Sequence, residues 1–85
     1  MTITLNIKTA EEATNYLSAQ GFDKWVDFRI HGRAYDGNSL NFIDGMWELA
    51  RTERSGYEVI ARIPKESDAY RMLVSEVMVG CGRWK

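Results

Sequence analysis

Three stretches of this chain alternate apolar and polar residues with a period of two, and that pattern limits the folds open to it more than any other feature. In the first, Ile3, Leu5 and Ile7 share one side, while Thr2, Thr4, Asn6 and Lys8 take the other. In the second, Val26, Phe28 and Ile30 oppose Trp25, Asp27, Arg29 and His31. The third sets Tyr57, Val59, Ala61 and Ile63 against Glu58, Ile60 and Arg62, and Pro64 ends it. Successive side chains of an extended strand point to opposite faces, so each run reads as a strand with one buried side. Gly32 can bend the second strand or open a bulge, letting Arg33 to Tyr35 continue or pair back.

Helical spacing fills the intervals. Thr9-Ala10-Glu11-Glu12 is a capping box, in which the threonine hydroxyl accepts a free amide and Glu12 reaches back. Ala10, Ala13, Tyr16 and Leu17 follow on one helical face, Gly21 can end the helix, and Phe22 then folds back onto it. Asp36-Gly37-Asn38 marks a turn, with Ser39 placed to cap the next element. From Leu40 to Arg51, an apolar stripe of Phe42, Ile43, Met46, Trp47 and Ala50 predicts a second helix, in which Gly45 costs about 1 kcal/mol. Ser67 is expected to cap a third helix, carrying Ala69, Met72, Leu73, Glu76 and Val77 and stopped by Gly80. The β-branched Val74, Val77 and Val79 offer a competing strand over residues 72–79.

The expected fold is α+β, in the order β-α-β-α-β-α. A three- or four-stranded sheet carries its helices mainly on one face, as a single domain over residues 1–85. A 45% hydrophobic content with ten aromatic residues suits a folded globule. For a chain this short the expected stability is about 5 kcal/mol. Cys81 has no second cysteine to pair with, which points to a reducing, cytoplasmic setting. The N-terminal alternation is unlike a signal peptide, and the run from Met72 to Val79 is far short of the roughly 20 residues that span a bilayer.

Charge is segregated although the net value is only −1. Residues 36–50 hold Asp36, Asp44 and Glu48 and no base, whereas residues 24–35 hold Lys24, Arg29 and Arg33 against Asp27. This segregation yields two candidate binding faces. An acidic helical face would present Glu11, Glu12, Asp44 and Glu48 to a groove lined with Lys and Arg. A basic sheet face would present Trp25, Arg29, His31, Arg33 and Arg62 to phosphates, a stacked base or an acidic protein surface. A solvated sheet face with cross-strand Glu/Arg pairs accounts for the same alternation without a site.

The residue set argues against familiar catalysis. His31 and Cys81 stand in different elements, the glycine-rich phosphate-binding and His-Glu-x-x-His signatures are absent from the sequence, and one His with one Cys falls short of a zinc site. The expected activity is therefore binding, with no cofactor and no metal. The chain is expected to act as a stoichiometric inhibitor or adaptor that blocks a functional surface of a larger protein or nucleoprotein complex. In size and style it is similar to phage-encoded inhibitors of host defence, anti-CRISPR proteins included. The alternative is a nucleic-acid-binding module using the open sheet face. An exposed sheet edge can also pair two copies into a homodimer.

Overall fold

The computed structural model describes residues 7–53 and 56–80. The strand expected over residues 1–8 falls mostly outside them, Cys81 wholly so, and Ile7 and Lys8 lead irregularly into the first helix. That helix, α1 (Ala10–Ala19), is capped by Thr9 as expected, and Glu12 reaches back one residue further than a capping box requires, to Lys8. Thr9 Oγ1 accepts the Glu12 amide at 3.1 Å, and Glu12 Oε1 accepts the Lys8 amide at 3.3 Å. At its far end the Phe22 amide donates to the Leu17 carbonyl and the Gly21 amide to that of Ser18. This pair of bonds turns the chain back and packs Phe22 against the core.

The remaining order departs from expectation. Four strands follow in succession: β1 (Phe28–Ile30), β2 (Gly37–Ile43), β3 (Met46–Glu53) and β4 (Gly56–Ile63), before α2 (Glu66–Gly80). The architecture is thus α-β-β-β-β-α, a four-stranded mixed sheet with strand order β1-β2-β3-β4 and two helices. The expected β-α-β-α-β-α order is corrected chiefly at residues 40–51, where a β-hairpin replaces the middle helix. Asp44 (φ 52°) and Gly45 (φ 81°) both adopt left-handed conformations, the requirement of a two-residue turn whose twist matches paired strands. Ile43 pairs with Met46, Phe42 with Trp47 and Leu40 with Leu49. The residues that resemble a helical stripe therefore meet across a hairpin, and Asp-Gly decides between the two.

The second expected strand is also shortened. Asp23 binds its own downstream backbone: Oδ1 accepts the Trp25 and Val26 amides, and its carbonyl accepts those of Asp27 and Phe28. Trp25 to Asp27 therefore form a turn, and extension begins only at Phe28. The helix expected between a Ser67 cap and a Gly80 stop forms as α2, but it begins at Glu66, so Ser67 lies inside its first turn rather than before it.

Both helices close over one face of the sheet. Leu17 and Ala13 of α1, Leu73, Val74 and Val77 of α2, and Phe28, Leu40, Trp47, Leu49 and Ile63 of the sheet share one buried cluster. In β4 the alternation is interrupted. Ala61 pairs with Leu49 but Val59 with Ala50, so the register slips across Ile60. Tyr57 and Val59 consequently face away from the helices while Ala61 and Ile63 face them. Among the described residues no helix is long and apolar enough to cross a membrane.

Candidate functional site

β1 and β2 run parallel, yet only residues 31–36 join them. Parallel neighbours ordinarily need a dozen or more connecting residues, usually a helix. Here the chain reverses at His31 (φ 63°) and Gly32 and returns across the helix-free face of the sheet. Side chains of β2 hold it there. Asn41 Oδ1 accepts the Gly32 amide at 2.7 Å, and Asn41 Nδ2 donates to the Gly32 carbonyl at 2.8 Å. Ser39 Oγ accepts the Ala34 amide at 2.8 Å, lies 3.2 Å from Thr52 Oγ1, and Thr52 in turn donates to the Gly37 carbonyl. Ser39, Thr52 and Ala34 are buried by this cover.

The cover leaves the β4 edge of that face exposed, with Arg33 and Arg62 beside it. Arg33 lies over the ring of Tyr57, 5.3 Å from its centroid, within the range of a cation–π contact. The Tyr57 hydroxyl donates to Glu48 at 3.0 Å, and Arg62 pairs with Glu48 at 3.7 Å with most of its own side chain in solvent. Tyr57, Val59 and Ile60 form an exposed strip along β4, the outer strand. Beside β1, Trp25 is 63% exposed, with Lys24 and Arg29 at 5.2 and 5.9 Å from its ring.

The basic residues expected on one sheet face fall into two groups, Trp25 with Arg29 beside β1 and Arg33 with Arg62 around Tyr57 and Glu48, and one of them joins neither. Trp25 reaches its place from a turn and Arg33 from the returning segment. The residue left out is His31. The positive φ ends the alternation there, and its ring packs 5.5 Å from that of Trp47, whose side chain faces the helices and also meets Phe42 and Tyr70. The acidic helical face is not assembled: Glu11 and Glu12 open α1, Asp44 sits in the hairpin turn, and Glu48 serves Tyr57 and Arg62 on the sheet. Sequence reading missed Lys24 and Tyr57 as members of the basic surface. The β4 register slip that turns Tyr57 outward has no signature in the alternation.

A cavity of about 270 Å³ opens where the ends of β2 and β3 meet α2. Asp27, Asp36, Asn38, Arg51 and Glu53 line it, with Phe22 and Val77 as apolar walls. Asn38 is only 5% exposed and its Nδ2 has no hydrogen-bond partner. An unsatisfied buried donor costs about 1–3 kcal/mol. None of these residues was a candidate in the sequence, because their convergence depends on the β2–β3 register and on the placement of α2.

The core beneath makes stability depend on pH in alkali. The Tyr70 hydroxyl donates to Glu66 at 2.6 Å, and burial first, then the Glu66 hydrogen bond and charge, raise its pKa well above the ordinary 10.0. Tyr57 is raised too, by burial and then by Glu48, against the opposing charge of Arg33. Above pH 10 the unfolded chain loses these protons while the folded chain keeps them, so alkali favours unfolding. Stability should hold below pH 10 and then fall by at most about 1.4 kcal/mol per pH unit from Tyr70. Urea melts from pH 8 to 11 check this, and Tyr70→Phe should flatten the decline.

No family model matches this chain, and no curated protein and no solved structure proves similar to it, so its function has to be argued from the surfaces just described.

Proposed function

We propose that this chain acts by binding, docking an acidic and partly apolar surface of a larger protein onto the helix-free face of its sheet. The observation that carries this reading is the exposed strip of Tyr57, Val59 and Ile60 flanked by Arg33 and Arg62, with Trp25 and Arg29 as a second group beside β1. Tryptophan, tyrosine and arginine are the side chains that dominate binding energy when desolvated, and a polar rim excludes water around them. The cations would steer an acidic partner and fix its register. The pinned returning segment presents Arg33 with little freedom left to lose on binding. Occupying a functional surface in this way would make the chain a stoichiometric inhibitor or adaptor, and its small size suits an inhibitor of the anti-CRISPR kind.

The test is affinity capture from lysate with and without nuclease, followed by titration of the partner with variants. Arg29→Glu combined with Arg33→Glu should weaken binding by about thirtyfold or more, and Glu11→Lys should leave it unchanged. The opposite pattern would sink the proposal. A second reading is favoured by Trp25, whose exposed ring between two cations can stack a base beside phosphates. It requires companions that disappear on nuclease treatment and an affinity that falls steeply with salt.

A further inference from the structure

β4 is the last strand of the sheet: among the described residues it pairs with β3 on one side and with no strand on the other. An open strand edge is a template for another chain, and a bulge on it ordinarily obstructs such pairing. The bulge here is placed differently. It falls at Val59 and Ile60, the two central residues of the eight from Gly56 to Ile63. Before it, Tyr57 and Val59 share the helix-free face with Thr52 and Ala50, and Glu58 takes the helix side with Arg51. After it the alternation is inverted. Ala61 and Ile63 take the helix side, and Arg62 joins Tyr57 at Glu48 on the helix-free side.

Consider an antiparallel pair of β4 strands related by a two-fold axis through that midpoint. In a regular strand of this length the axis would set Gly56 opposite Ile63 and Tyr57 opposite Arg62, residues that point to different faces. The inverted half restores the match. Tyr57 meets Arg62 of the second copy on the helix-free face, a cation–π combination. Glu58 meets the second copy's Ala61 on the helix side, and Val59 meets its Ile60 beside the axis. Every residue from Gly56 to Ile63 is paired, and no like charges stand opposite each other. Val59 and Ile60, each 40% exposed in the single chain, cover one another. We propose that two copies of this chain join their β4 edges in this register, making one continuous sheet with all the helices on the same side. The interface is isologous, with the same strand contributed by both copies. It sets the two strips of Tyr57, Val59 and Ile60 side by side across the axis.

The experiment is sedimentation equilibrium of the full chain alone. One strand edge is a small interface, so a dimer with a Kd of about 10–100 µM is expected. Ile60→Lys sets two ammonium groups beside the axis and should weaken the dimer by about tenfold or more. Val79→Lys places the same charge on an exposed apolar residue near the end of α2 and should leave it unchanged. Circular dichroism should show both variants folded. In a mixture of isotope-labelled and unlabelled copies, filtered NOEs should join the Tyr57 ring of one copy to Arg62 of the other, and Val59 methyl groups to those of Ile60. A chain that stays monomeric up to about 1 mM, a dimer indifferent to Ile60→Lys, or contacts between copies that avoid β4 overturns the proposal. No docked protein enters these measurements, and Arg29→Glu should leave the dimer intact, so the dimer and the docking face stand or fall separately.

Discussion

Leu49→Ala should leave the chain barely folded. Leu49 is fully buried on β3, paired with Leu40 on one side and Ala61 on the other, in the cluster that joins both helices to the sheet. Truncating such a leucine removes its transfer energy and leaves a cavity, together about 2–5 kcal/mol. Against a total near 5 kcal/mol for a chain of this length, that is most of the stability. With a urea dependence of about 1 kcal/mol/M, the unfolding midpoint should drop by about 2 M or more. Ile60→Ala is the matched control. Ile60 has no pairing partner at the β4 register slip and is 40% exposed, so its loss should stay within about 1 kcal/mol. Equal effects at both positions would mean that the cluster is not the core.

Gly37→Ala should damage the molecule through the backbone instead. A Cβ at Gly37 would run into the backbone carbonyl of Asp27. That carbonyl cannot simply retreat, because it accepts the Asn38 amide at 3.1 Å, the bond that begins the pairing of β1 with β2. To admit one methyl group the two strands must separate. The expected cost is at the upper end of the roughly 1–3 kcal/mol typical of overpacking, accompanied by faster hydrogen exchange at the Asn38 amide. Gly56→Ala serves for comparison: a Cβ there meets nothing within 4 Å, and the change should be neutral or mildly stabilising, by about 0.4–1 kcal/mol. If Gly37→Ala were equally mild, the close approach of the two strands would be wrong.

Local chemistry made some of this fold legible. The Thr9 cap, the Gly21 stop and the return of Phe22 are interactions within a few residues of one another, and α1 formed as they dictate. The run Tyr57–Ile63 and the helical spacing after Ser67 likewise became β4 and α2. The hairpin at 40–51 was legible in principle. Asp44-Gly45 between apolar residues is a strong turn signal, and it outweighs a five-residue stripe when helix propensity is already lowered by the glycine.

The candidate surface was legible in composition but not in arrangement. Alternation grouped Arg29 with His31, whereas the left-handed backbone at His31 sends its ring to Trp47 while Arg29 stays beside Trp25. Arg33 reaches Tyr57 only because Asn41 and Ser39 hold the returning segment down, and those bonds bridge residues five to nine positions apart on different elements. Residue order alone settled where helix α1 starts and stops, that the chain carries both strands and helices, and that its charge is segregated. Those are short-range matters of capping, periodicity and side-chain type. The parallel β1–β2 pair, the β4 register slip, the cation-flanked β4 edge and the cavity under Asn38 were decided by tertiary structure. Each depends on which distant backbone groups find partners when the helices bury one side of the sheet, and no local pattern encodes that competition.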